Sequence, residues 1–270
     1  LSEEAVSDFF SRVFHCIQTS HPAEKTLCTT QLLQAWETGE LSWPDTAPLR
    51  DYHIPGHPQK PVLVTPRELP RRSIATVQGR AALLHSIAHI EFNAINLALD
   101  AVYRFRGMPK VYYADWLHVA AEEAYHFELV NNHLHTLGYS YGDFAAHNGL
   151  WDMAMRTKDS VLVRMAIIPR GMEARGLDVT PGIIEKLKAS GDEQAINILE
   201  IIMRDEIGHV DIGTRWFNYC CDEQNLSRQE TFEDLMRRFT NCRVKLPLHR
   251  SARKRAGFTE AELDFLEGLI

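Results

Sequence analysis

Nowhere in the 270 residues does an apolar run approach the ~18 residues of a membrane-spanning helix, so no span is expected. No signal peptide is visible, and the chain begins at Leu1 rather than Met. Cysteine is scarce: Cys16, Cys28, Cys220, Cys221 and Cys242 are odd in number and include no C-x-x-C, so a reduced, cytoplasmic setting is the simpler expectation. Basic charge is not in excess. A net charge of -7 argues against a surface built to coat nucleic acid. Low-complexity tracts are absent as well.

What is present is one pattern in two copies. Glu123-Ala-Tyr-His126 and Glu206-Ile-Gly-His209 each place a Glu three residues before a His within an apolar-periodic, helix-like stretch. Of thirteen histidines, only these two have Glu at that position. On a helix the two side chains are about 300° and about 4.5 Å apart, so both leave one face toward one point. A dimetal bundle needs one further Glu from each of the other two helices. Glu91, 32 residues before Glu123, and Glu173, 33 before Glu206, supply them. Gly107 lies sixteen steps from both Glu91 and Glu123, which in an antiparallel hairpin puts the two carboxylates at one height. The second half repeats the spacing, and no other repeat is visible.

Four carboxylates and two neutral imidazoles make a largely oxygen-ligated site that suits iron or manganese, with positions left open for oxygen, peroxide or water. Zinc would favour a closed tetrahedral set, often with Cys, and no Cys lies among these residues.

With this ligand order, residues of about 75–221 resemble the ferritin-like superfamily of carboxylate-bridged dimetal proteins, matched at Glu91, Glu123, His126, Glu173, Glu206 and His209. Within it the chain is most similar to a bacterial ferritin-like family of unassigned function whose bundle carries an N-terminal extension. The resemblance implies that the acids before each Glu-x-x-His, Glu122 and Asp205, bond the ring N–H of the opposite ligand His and fix its tautomer. It also implies two bound ions, iron first, with manganese or a mixed manganese/iron pair as alternatives.

The fold expected is all-α, a ferritin-like antiparallel four-helix bundle with a long crossover, over residues 73–222. Residues 1–72 form an N-terminal helical extension and proline-rich strap, and residues 223–270 a C-terminal helical extension. Helical periodicity over 3–19 and 22–38, with Pro22 to start and Gly39 to stop, predicts a hairpin. Seven of the twelve prolines fall between Pro44 and Pro70, which excludes regular helix there. The apolar Trp43, Tyr52, Ile54, Val62 and Leu63 argue that this strap packs. Bundle helices are expected over about 74–106, from Pro109 to near Gly138, through Glu173, and over about 192–221. The stretch 139–158 is read as the crossover and 259–269 as the last helix.

Asp115-x-x-His118 imitates the motif but lies about 80° round the helix from Glu123. His89 is about 160° from Glu91 and His85 about 120°, so both are read as packing or surface residues. Pro169 falls inside the third bundle helix, where it removes a backbone bond to Met165 and should kink the helix or open a π-bulge. Between Pro169 and Gly176, one turn past Glu173, a substrate or oxygen pocket competes evenly with close helix packing. Arg243, Lys245, Arg250, Arg253, Lys254 and Arg255 concentrate basic charge after the bundle. An anion site at Arg250, Arg253, Lys254 and Arg255 is weighed against a solvated face paired with neighbouring acids, which is commoner.

The expected activity is a di-iron oxidase or monooxygenase, oxidising or hydroxylating a substrate with oxygen or peroxide. Glu91 and Glu173 would be terminal or bridging ligands, Glu123 and Glu206 bridging or shifting carboxylates, and His126 and His209 terminal nitrogen ligands. Val130 stands where the superfamily's radical-storing reductases place a Tyr, which disfavours that role. The rivals are iron storage or ferroxidase, a manganese catalase-like protein, and a noncatalytic scaffold stapled by metal. Expected partners are a small-molecule substrate and an electron donor, and the assembly a monomer or small homo-oligomer. No membrane partner is expected. Nucleic acid is disfavoured, with tRNA kept open only by the basic cluster.

Overall fold

In a computed structural model the chain is described over residues 8–42, 48–70, 72–239 and 246–269. Trp43, Pro44, Cys242, Arg243 and Lys245 lie outside the described residues. The described residues are helical, without a β-strand and with two isolated bridges, Asp8 to Ser42 and Leu63 to Ala146. They divide into two compact units, Leu1–Trp151 and Asp152–Ile270.

The first unit is built on α3 (Val77–Arg104) and α4 (Lys110–Thr136). Thr76 starts α3 by accepting a hydrogen bond from the Gly79 N–H, as an N-cap does. The turn between the helices needs a left-handed residue, and Gly107 supplies it at φ +81°. Tyr112 donates to Ala101 O, and farther from the turn Phe92 meets Phe127. Contacts that pair rising with falling residue numbers make the two helices antiparallel. Two shorter helices, α1 (Phe9–Gln18) and α2 (Pro22–Glu37), pack against them and bury Phe9, Val13 and Leu32.

Two features of that extension were not read from the sequence. Cys16 and Cys28 form a disulfide joining α1 to α2, so cysteine usage no longer argues for a reduced compartment. Lys25 is fully buried and donates to Cys16 O, Ile17 O and Asn96 Oδ1. Burial pulls its amine down to about 7, yet three acceptors around one nitrogen match the three N–H bonds of an ammonium. The first two acceptors are carbonyls at the C-terminal end of α1, where a positive charge is favoured.

The strap runs over residues 48–70. It docks through Tyr52, which donates to the buried Asp100 Oδ1, and through Trp151 Nε1 donating to His53 O. Its apolar residues behave differently from expectation: Tyr52 is buried, whereas Ile54, Val62 and Leu63 are exposed. Hydrogen bonds at fixed points hold the strap, so these three side chains need not face inward.

The expected crossover contains a helix of its own, α5 (Gly149–Arg156). In the second unit follow α6 (Val161–Ile167), a π-helical turn over Ile168–Glu173, and α7 (Ala174–Lys188). The sequence reads these as one helix, and Pro169 breaks it as predicted. The long α8 (Glu193–Glu223) begins with Asp192 accepting from Ala195 N–H. Pro169 fits against α8 because residue 213 is Gly: a Cβ there would lie 2.3 Å from Pro169 Cβ and Cγ. The C-terminal helices are α9 (Arg228–Phe239), α10 (Arg250–Arg255) and α11 (Glu260–Gly268).

Candidate metal centre

Glu91 points from α3, and Glu123 and His126 point from one face of α4. All three are at most 3% exposed. Each offers a ligand atom within 4.8 Å of the others. His126 Nδ1 stands 3.4 Å from Glu91 Oε2 and 3.4 Å from Glu123 Oε2. The equal arms about Gly107 therefore do bring the two carboxylates together.

Two buried carboxylates here share a single imidazole, so negative charge outweighs positive in the cluster. Burial, and then the neighbouring Glu123 carboxylate, push the Glu91 carboxyl well above its ordinary range. Burial alone would lower the His126 imidazole, but Glu123 and Glu91 overcome it and lift the ring to about 11. Glu91 Oε2 is cut off from solvent and, among the described residues, accepts no well-aligned hydrogen bond, His126 Nδ1 lying 3.4 Å away. A buried carboxylate oxygen in that position costs free energy unless a proton or cation meets it. The donor set of two carboxylates and one imidazole nitrogen fits a metal ion of the iron or manganese kind.

In the second unit Glu173 is the last residue of the π turn, which packs against α8. Glu206 and His209 stand on one face of α8, with His209 Nδ1 3.8 Å from Glu206 Oε2. His209 is fully buried, while Glu173 and Glu206 are only half-buried. Asp205 accepts two hydrogen bonds from the adjacent Arg204, and Glu122 is an exposed residue of α4.

One family's sequence pattern, described as "Protein of unknown function (DUF455)", matches residues 18–264. The chain belongs to that family. A relative from Haemophilus influenzae, described as an uncharacterized protein, is 44% identical over 273 residues, covering 97% of this chain and 94% of its own length. No solved structure matches the chain significantly.

The remaining sequence candidates in this DUF455 chain divide cleanly. His118 lies 3.4 Å from Glu37 at the surface, away from the cluster. His85 accepts from Gly142 N–H and His89 bonds Tyr141 and His147 O, so both are buried packing residues rather than ligands. Pro169 fills the notch at Gly213, whereas Gly176 faces open space, with nothing within 4 Å of a Cβ built on it. The anion site is corrected. Arg250 is paired with Glu260, Asp264 and Glu267, Lys254 with Glu260, and buried Arg253 with Asp178 through two bonds. The chain's own acids thus neutralise three of the four charges offered to an anion. Arg255 is exposed.

The sequence reading missed Arg170. It is fully buried, donates to Glu262 Oε1 at 2.7 Å and lies within 5 Å of the ring centres of Phe217, Phe232 and Phe258. Glu262 is also the third helical residue of α11, whose other oxygen accepts from Thr259 N–H in a capping box. The sequence Thr259-x-x-Glu262 signals the cap, but nothing local signals the arginine 92 residues away.

Proposed function

We propose that Glu91, Glu123, His126, Glu173, Glu206 and His209 form one ferritin-like dimetal centre, and that the protein is an oxidoreductase using oxygen or peroxide on a small molecule. The observation that carries this reading is the buried Glu91, Glu123 and His126 cluster, in which two desolvated carboxylates share one imidazole. The second triad enters through sequence alone, by its identical order and its offset of 33 residues against 32.

When bound, a reduced iron pair would supply oxygen activation for oxidising or hydroxylating the substrate, and manganese or a mixed pair fits the same donors. The chain's own contribution is largely electrostatic. Glu91 and Glu123 offer carboxylates already stripped of water, and His126 turns Nδ1 toward both. To serve as a ligand, His126 would have to give up any proton on that nitrogen, because a ligand imidazole must be neutral. Glu122 and Asp205 would orient the ligand imidazoles. Glu173 and Glu206, less completely buried than Glu91 and Glu123, are the carboxylates that a small molecule would approach first.

Metal analysis of the purified protein tests the reading, with about two ions per chain expected from the donor set. Less than one iron or manganese per chain after anaerobic reconstitution would overturn it. Glu123→Ala with His126→Ala should remove most of the metal. Sedimentation after aerobic iron loading decides among the rivals. A small particle retaining about two metals supports the oxidoreductase, and a large iron-filled particle selects storage. Rapid peroxide disproportionation with manganese alone selects the catalase.

A further inference from the structure

The first unit carries a second feature that the metal centre does not use. His85, His89, Asn93 and Asn96 recur at helical spacing on one stripe of α3, and Glu91 is about 160° from both His89 and Asn93. Over part of this stripe, opposite the metal-facing side, the strap leaves a cavity of about 100 Å³. We infer that this cavity is a small-molecule site that takes a single neutral planar ring carrying an N–H or O–H donor.

Its shape limits the size and the flatness of the occupant. Phe92 and Tyr141 form one wall, with ring centres 5.6 Å apart. Pro55, Pro58 and Pro61 also line the cavity, and their locked φ angles make that part of the lining preformed. The strap is pinned beside the cavity at both ends, by Gly56 N–H on Ile17 O and by Val64 N–H on Ala146 O. A volume of this order holds one ring rather than a fused system.

The polar group that selects its occupant is Asn93. Asn93 is 6% exposed, and its Nδ2 donates to His89 O at 2.8 Å. Its Oδ1 accepts no hydrogen bond among the described residues and lines the cavity. His89 Nε2 lies 3.1 Å from both His147 O and Asn93 Nδ2, and its Nδ1 lies 2.8 Å from the Tyr141 hydroxyl, so both ring nitrogens are engaged within the protein. The Asn93 acceptor selects a donor. A cation is disfavoured because the Lys25 nitrogen is bonded to Asn96, another lining residue, and lies 5.6 Å from the Phe92 ring centre. A neutral ring with one donor edge remains.

Aniline, neutral above pH 6, and toluene, its equivalent in shape without the donor, are the probes, read by saturation-transfer NMR on the full chain. Aniline should bind with a dissociation constant on the order of 1 mM and toluene about tenfold more weakly, one hydrogen bond apart. Asn93→Leu, which keeps bulk and removes the acceptor, should erase that difference. Equal binding of the two probes to the wild type, absence of aniline binding, or an unchanged preference in Asn93→Leu overturns the inference. Should Asn93→Leu fail to fold, Leu63→Trp on the exposed strap fills the cavity from outside. Loss of aniline binding then supports the site, and retention overturns it. None of these readouts depends on metal content.

Discussion

The two units carry the same motif in different settings. In the first, the ligand residues stand on two uninterrupted helices and are almost wholly buried, and two carboxylates already converge on one imidazole. In the second, one glutamate ends a π-helical turn and both glutamates are half-buried. A repeat in sequence therefore does not give a repeat in environment. The buried half resembles a fixed anchor that binds cations through desolvated charge. The second half is less completely buried, with the Glu206 side chain 13% exposed. Its irregular turn must be held by something else, and the C-terminal segment supplies that: Arg170 of the π turn to Glu262 of α11, and Asp178 of α7 to Arg253 of α10.

The strongest way to break the comparison is to remove that hold. Glu262→Gln keeps the shape and an acceptor but leaves the buried Arg170 guanidinium without a counter-charge. Stability should fall by about 3 to 5 kcal/mol, measured by urea unfolding. Replacing Arg170 and Glu262 together by Met should cost less, since no uncompensated charge is left. If the single variant is as stable as wild type, the ion pair does not hold the turn.

A second prediction sharpens the buried half. Burial lowers the His85 imidazole from 6.5 to about 4, against a smaller opposing influence of Asp143, and its Nε2 must stay unprotonated to accept from Gly142 N–H. The unfolded chain takes up that proton near pH 6.5 and the folded chain only near 4. Stability is thus full above 6.5 and is lost as pH falls from 6.5 toward 4, by at most about 3 kcal/mol. His85→Gln retains an acceptor and cannot titrate. The loss between pH 7.5 and 4.5 should be smaller in that variant, and equal losses would remove His85 as the cause.

The contrast between the halves also marks what the sequence could convey. Equal arms about Gly107 made the Glu91 and Glu123 pairing legible, because register in an antiparallel hairpin is arithmetic. Pro169 made the break in its helix legible, because a missing N–H acts locally. Burial was not legible, since Glu-x-x-His reads the same whether its Glu is 1% exposed or half-open. Neither was the Cys16–Cys28 bond, nor the partners of Arg170, Arg250 and Arg253, which depend on which helix packs where. The strap's exposed Ile54, Val62 and Leu63 show the converse error, in which apolar residues were taken as sufficient evidence of burial.

The smallest predicted effects come from two glycines in the second half. Gly213 faces Pro169 so closely that an added Cβ would sit 2.3 Å from the ring, and the rigid pyrrolidine cannot swing aside. Gly213→Ala should therefore displace the π turn and cost about 1 to 3 kcal/mol, the usual penalty for overpacking. At Gly176 an added Cβ meets nothing within 4 Å, and the residue lies inside α7. There the helix preference of Ala over Gly dominates, and Gly176→Ala should gain up to about 1 kcal/mol. Thermal unfolding of the two variants side by side gives the sign of each. A gain at 176 with a loss at 213 would assign the space beside Gly176 to the solvent-open side of α7 and the Pro169 contact to packing. A loss at both would mean that Gly176 is also pressed against a neighbour, and the second half would then be no more accessible than the buried one.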